Sequence, residues 1–258
     1  MTVGLAENMS LAERRSTLGA STALWAGRDG VTVYPDRWIA LSRADSVEYN
    51  AALVHGDGET LVKTVDEVLA AGVPTVVMVA GPASGEAWRL DDRGWIRIGS
   101  MALMHLGLPA PVPTTTSGPA ARQLDHADHH AVTELVGEVF GVGPGLAGVA
   151  IAGVTAGLED HALWGAFDPT GALVSCLATV RVADTVAVWS MATSLRARRQ
   201  GYGAAALGTA LAAAAADGAT SSLLSSSRVG EPLYRALGYQ ELERWEQWSR
   251  PRWALARA

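Results

Sequence analysis

Cysteine is almost missing from this chain of 258 residues. Cys176 is alone, so neither an intrachain disulfide nor a cysteine-based metal centre can form. It falls in the apolar, β-branched run Ala172–Val182, where a lone thiol behaves as a small buried hydrophobe rather than a nucleophile. Positive charge is also short: 20 Lys and Arg face 26 Asp and Glu, a formal net charge of −6. That balance argues against nucleic acid or an anionic membrane as the main partner, so any anionic ligand must be held by a local feature. The opening Met1–Thr17 has no apolar run behind a basic start; no signal peptide is read there, and the expectation is a cytoplasmic protein. The histidines His126, His129 and His130 cluster without the carboxylates or thiols that would complete a site, so no metal is expected.

A long hydrophobic run is absent too, with one near exception. Val139–Leu158 is uncharged over about the length of a bilayer span and contains Gly153-x-x-x-Gly157, a helix-packing pattern. It also holds six glycines and Pro144, with few large apolar side chains. The better expectation is a soluble helix-loop-helix segment under a ligand site.

What is present suits a sizeable core: 49% hydrophobic and 18% charged residues. Pro109, Pro111, Pro113 and Pro119 crowd one stretch and favour an extended connector. They divide the chain into an N-terminal domain over 1–108, a linker over 109–118 and a C-terminal domain over 119–258. In the last, strands are expected at 121–124, 161–168, 172–182, 185–193, 220–225 and 242–248, with helices at 128–142, 203–216 and 231–237. This alternation predicts an α/β fold with a mixed sheet. The first part shows a shadow of the same ending: a helix at 60–71, a turn at Gly72, a strand at 75–80, a helix at 84–92 and a strand after Gly94-Trp95. An internal duplication is the reading.

The segment that points to chemistry is Arg198-Arg199-Gln200-Gly201-Tyr202-Gly203-Ala204, which follows an apolar strand and opens a long helix. Two glycines clear space for a ligand beside the backbone, and the first helical turn offers unpaired N–H groups to an anion. Arg196, Arg198 and Arg199 gather positive charge there. No Gly-Lys-Ser/Thr follows, which excludes a Walker loop, and the spacing is wrong for a dinucleotide fingerprint. A cradle for a pyrophosphate remains.

Met191–Ala204, with Arg198-x-x-Gly201-x-Gly203, resembles the strand-loop-helix signature of the GNAT superfamily of acyl-CoA N-acyltransferases. Ser227–Tyr239 resembles that family's second motif through Leu233, Tyr234, Leu237, Gly238 and Tyr239. The resemblance covers about residues 120–250 and implies a GNAT-like fold there, with a smaller, degenerate, non-catalytic GNAT-like copy before it. It implies acetyl-CoA as acyl donor and an amine as acceptor. Backbone groups of Ala192 and Thr193 would meet the pantetheine arm. Arg198, Arg199, Gly201, Tyr202, Gly203 and Ala204 would hold the pyrophosphate, and Ser227 stands where relatives carry an asparagine. A backbone N–H near Thr193 would polarise the thioester, and Tyr234 would give its proton to the departing thiolate.

The general base stays open. Its place on the strand before the glycine loop is near Trp189, which cannot act as one; Glu134, Glu138, His126, His129 and His130 are candidates, as is proton loss through water. The loop His55-Gly56-Asp57-Gly58-Glu59 carries acids where the second copy has arginines, so the first copy is expected to extend the sheet or cover the acceptor cleft. Tyr49-Asn50 is either a lining of that cleft or a satisfied turn. Trp245, Trp248 and Trp253 are candidates for a domain contact or a homodimer. The rival reading is a non-catalytic acyl-CoA-binding or scaffolding protein that kept the fold and lost its base.

Overall fold

The computed structural model describes residues 9–110 and 119–251. Most of the proline-rich connector, and Trp253, lie outside the described residues. The first half carries helices α1 (Leu11–Ser21) and α2 (Ala23–Ala26), strands β1 (Val31–Val33), β2 (Arg37–Leu41) and β3 (Asn50–Val54), helix α3 (Gly58–Ala71), strand β4 (Val76–Val79), helix α4 (Trp88–Asp91) and strand β5 (Ile96–Gly107). The second carries β6 (Ala120–Gln123), helices α5 (His129–Phe140), α6 (Pro144–Val149) and α7 (Ala152–Thr155), strands β7 (His161–Phe167), β8 (Leu173–Val182) and β9 (Thr185–Thr193), helix α8 (Tyr202–Ala216), strand β10 (Ser221–Ser226), helix α9 (Glu231–Ala236) and strand β11 (Gln240–Ser249). The helix expected at 84–92 is a 3-10 turn over Gly81–Glu86 followed by the short α4. Gly81, Pro82 and Gly85 disfavour a longer α-helix there.

The eleven strands of the described residues join one mixed sheet in the order β1-β2-β3-β4-β11-β5-β10-β9-β8-β7-β6. Each half repeats one plan: antiparallel strands, a crossover helix, a parallel strand, a short helix and a final strand. The parallel pairs are β3 with β4 and β9 with β10. The final strands are exchanged. β5, from the first half, pairs with β10 of the second, and β11 pairs with β4 of the first. The two exchanged strands pair with each other at the centre.

Strand alternation gives the sheet two apolar faces. Along β8, Cys176, Ala178 and Val180 pack into one core with Leu18 of α1 and Val132, Leu135 and Val136 of α5. Leu177 faces the other way, into a core with Ala206, Leu207, Ala210 and Leu211 of α8. α8 is rich in alanine and leucine, a composition that favours a helix on propensity alone. The glycine-rich Val139–Leu158 runs through the end of α5, α6 and α7, and among the described residues no helix is long and apolar enough to cross a membrane. Trp245 is wholly buried near the central seam, so it serves a contact within the chain.

Candidate functional site

The strands that lead to the glycine turn part company. β9 pairs with β10 only over Thr185–Ala187, and beyond Ala187 the two diverge while β10 stays zipped to β5 as far as Ser226. A gap opens between them. Just past the parting, β9 carries a bulge: Ala178 pairs with Trp189 but Cys176 with Ala192, one residue too many on β9, and Ser190 takes a positive φ of 51°. Ser194 donates its N–H to the Val174 carbonyl at 3.0 Å. By alternation, the Ala192 peptide also turns toward β8, while Met191 and Thr193 turn theirs toward the gap. Of the two residues expected to offer backbone groups to a pantetheine arm, Thr193 is therefore the one that faces the gap. The Ala192 carbonyl accepts instead from the Ser175 hydroxyl at 3.0 Å, and Ala192 is fully buried.

After Thr193 the chain makes a 3-10 turn over Leu195–Ala197, then passes through Arg198 and a left-handed Arg199 (φ 65°) into Gly201 (φ 88°). Gly201 begins α8 with no side chain capping it, so the first-turn amides are left to a ligand or to solvent. Arg196, Arg198 and Arg199 are all exposed around this turn. Arg198 reaches back to the Thr193 carbonyl at 3.2 Å, and Gln200 to that of Arg196 at 2.7 Å, which fix the loop's shape. Gly203 sits on the inner side: a Cβ there would lie 3.0 Å from Met191 Cε, 3.3 Å from Thr193 Oγ1 and 3.4 Å from Leu233 Cδ2. Tyr202 and Ala204, on the same first turn, are half-buried. The equivalent turn in the first half is built differently. β3 and β4 stay paired along all of Ala51–Val54, and the Asp57 carboxylate caps α3 by accepting from Thr60 N–H at 2.9 Å. There the strands do not open and a side-chain anion already holds the helix start.

Below the gap lies a cleft of about 250 Å³ lined by residues of both halves. From the second half come Phe140, Val188, Trp189, Ser190, Met191, Ser225, Ser227 and Tyr234; from the first come Trp25, Glu48, Tyr49 and Met101. Tyr234 is buried on α9, edge-on to Tyr239 with ring centroids 5.8 Å apart. Burial pushes its phenol well above the usual range, so at neutral pH it carries its proton. Its place depends on Gly230, where a Cβ would meet the Tyr234 ring at 2.9 Å. Ser227 is exposed at the rim, its carbonyl accepting from Gly230 and Glu231 at the start of α9. Trp189 donates its indole N–H to Ser21 of α1 at 2.8 Å and stands edge-on to Trp25 at 6.3 Å.

Of the turn Tyr49-Asn50, Tyr49 lines the cleft, while Asn50 is buried and satisfied by the loop around it. The proposed bases lie elsewhere. His130 pairs with Glu134 at 3.4 Å on the surface of α5, and the His126 and His129 rings stand 5.1 Å apart beside it. Glu134 and Glu138 border a separate groove with Arg196, where Glu138 accepts from Ser194 at 3.0 Å. Among the described residues, Glu48 is the carboxylate that shares a cleft with Tyr234. No local pattern marks it in the sequence, because Trp189 and Met191, with which it lines the cleft, are more than a hundred positions away. Cys176 is 1% exposed and its thiol is pushed up to about 12 by burial, the inert state expected of it. Among the described residues no group of three or more metal-ligating side chains is assembled.

Residues 120–239 match the family model for the Acetyltransferase (GNAT) family. No curated protein matches the sequence. Among solved structures, a GCN5-related N-acetyltransferase from Sphaerobacter thermophilus is similar with a TM-score of 0.65 at 17% identity, over 93% of this chain and 93% of that one. A GCN5-related N-acetyltransferase from Kribbella flavida gives 0.62 at 18% identity, over 90% and 96%. A tandem GNAT protein from the clavulanic acid biosynthesis pathway gives 0.53 at 13%, over 92% and 95%. The GNAT-like fold thus extends over nearly the whole chain, first half included.

Proposed function

We propose that this chain, whose residues 120–239 match the GNAT family model, is an N-acetyltransferase, moving the acetyl group of acetyl-CoA to an amine by direct attack. The observation that supports this most is the parting of β9 from β10 beside the uncapped start of α8. A gap of that kind admits a slender arm, and a bare helix N-terminus suits the diphosphate at the arm's end. Arg198, Arg199, Gly201, Tyr202, Gly203 and Ala204 form the cradle, Thr193 meets the arm, and Ser227 stands at the rim. The first half, residues 1–108, is the non-catalytic copy and supplies one wall of the acceptor cleft.

The chemistry asks three things of this site. The thioester carbonyl needs a hydrogen-bond donor where negative charge develops; the peptide N–H groups of Met191 and Thr193, turned toward the gap by strand alternation, are the donors of this reading. The amine lone pair attacks the carbonyl carbon, the C–N bond forms and the C–S bond breaks. The leaving thiolate takes a proton from Tyr234, whose burial keeps that proton in place until it is needed. The proton shed by the nitrogen restores the phenol. Acetyl-CoA is the donor and the cytoplasm the compartment of this reading.

The experiment is a thermal-shift titration with acetyl-CoA followed by thiol release in the presence of an amine panel. Stabilisation with amine-dependent release supports the enzyme. Stabilisation without release from any amine would favour an acyl-CoA-binding scaffold, and no stabilisation at all would remove the cradle.

A further inference from the structure

We infer that the acceptor is a monoamine with an apolar or aromatic body and no carboxylate of its own, recognised by Glu48 against a wall of rings. This rests on the transferase reading for its meaning, but the selectivity of the cleft is a property that can be measured without acyl transfer.

Among the described residues that line the cleft, Glu48 is the one with a charged side chain; the rest are rings, aliphatic side chains, methionines, serines and Tyr234. Trp25, Tyr49, Phe140 and Trp189 supply aromatic surface on several sides, and Trp189 is pinned by its bond to Ser21. An ammonium group entering such a space is stabilised by a carboxylate and by ring faces. A substrate carboxylate or phosphate meets no cation among the described lining residues and would be desolvated beside Glu48.

Glu48 is held in place by more than a loose loop. Asn50, fully buried, donates to the carbonyls of Ala44 and Ser46 at 2.8 Å each, and its side-chain oxygen accepts from Arg43 N–H at 3.0 Å. The Ser46 hydroxyl accepts from Glu48 N–H at 3.3 Å. A buried amide that ties three peptide groups of the 43–50 turn together holds the backbone that carries Glu48 at the edge of the cleft. The degenerate half thus contributes a specificity residue to the working half.

Calorimetry on the full chain, without coenzyme, with 2-phenylethylamine, phenylalanine and 2-phenylethanol tests this. The amine should bind at least about ten-fold more tightly than the amino acid or the alcohol. Glu48→Gln should erase its advantage over the alcohol while leaving acetyl-CoA binding unchanged. Phe140→Ala, at a wall residue 37% exposed and so tolerant of truncation, should weaken 2-phenylethylamine but not methylamine. Equal binding of phenylalanine and 2-phenylethylamine, or an amine affinity indifferent to Glu48→Gln, would overturn the inference even if acetyl-CoA binds and is turned over. Failure of acetyl-CoA to bind while the amine preference persists would instead sink the transferase reading and leave the selectivity standing.

Discussion

Arg15 on α1 and Glu243 on β11, 228 positions apart, close a two-pronged ion pair with contacts of 2.9 and 2.5 Å. The same carboxylate accepts the Trp245 indole N–H at 2.7 Å. Both side chains are largely buried, 9% and 15% exposed. The pair clamps the helix that crosses the seam to one of the two exchanged strands.

Arg15→Met strands a buried carboxylate, so it should cost about 3–5 kcal/mol of stability. Because the clamped strand belongs to both halves of the sheet, the loss should appear as one shifted transition. Denaturant unfolding followed by tryptophan fluorescence and by far-ultraviolet circular dichroism checks it: two separated transitions would contradict the shared centre.

Tyr234→Phe keeps the ring that packs on Tyr239 and removes only the proton donor. Turnover should fall about a hundred-fold or more, the contribution general acid catalysis makes, with acetyl-CoA affinity unchanged. Steady-state kinetics with the preferred amine measure it, and full activity would take Tyr234 out of the mechanism.

Gly203 was expected to admit a ligand; its inner side also meets Met191, Thr193 and Leu233. Gly203→Glu should abolish acetyl-CoA binding and, by displacing those neighbours, destabilise the fold by about 1–3 kcal/mol. Gly203→Ala should do both more gently. Unchanged acetyl-CoA affinity in the glutamate variant, read by calorimetry, would count against the cradle.

His105, on β5 at the seam, is pulled down to about 4, first by burial and then by the Arg14 charge. The folded state therefore holds its proton less readily than the unfolded chain, whose histidine titrates near 6.5. Stability from this group is complete above pH 6.5 and declines as pH falls toward 4. His55 is shifted the same way by burial and by Arg15, against the pull of Asp36 and Glu243. Urea midpoints between pH 7 and 4 should fall less steeply in His105→Gln than in the parent.

The second half was legible because its signals are local. β9 spans Thr185–Thr193 as its apolar, β-branched run predicts, and α8 begins one residue before the expected helix. The first 54 residues were not. α1 buries Arg14, Arg15, Gly19 and Ser21 beside Leu18, so the face it turns inward carries no apolar stripe to read. Its Gly19 lies flat on Trp38, where a Cβ would approach the ring to 2.5 Å. Tyr234 and the glycine turn stood out by motif, whereas Glu48 and Trp25 reach the cleft only through a seam that pairs strands far apart in sequence. No window of neighbouring residues encodes such a meeting.

The crossed placement of β5 and β11 also sets an order of events during synthesis. When the ribosome has made β5, neither of its partners exists; β10 comes about a hundred residues later and β11 later still. The middle of the sheet can close only after the tail of the second half has emerged, so a nascent chain must wait with that strand unpaired. For such a protein, a stop codon before residue 240 would strip the first half of its neighbour as surely as the second.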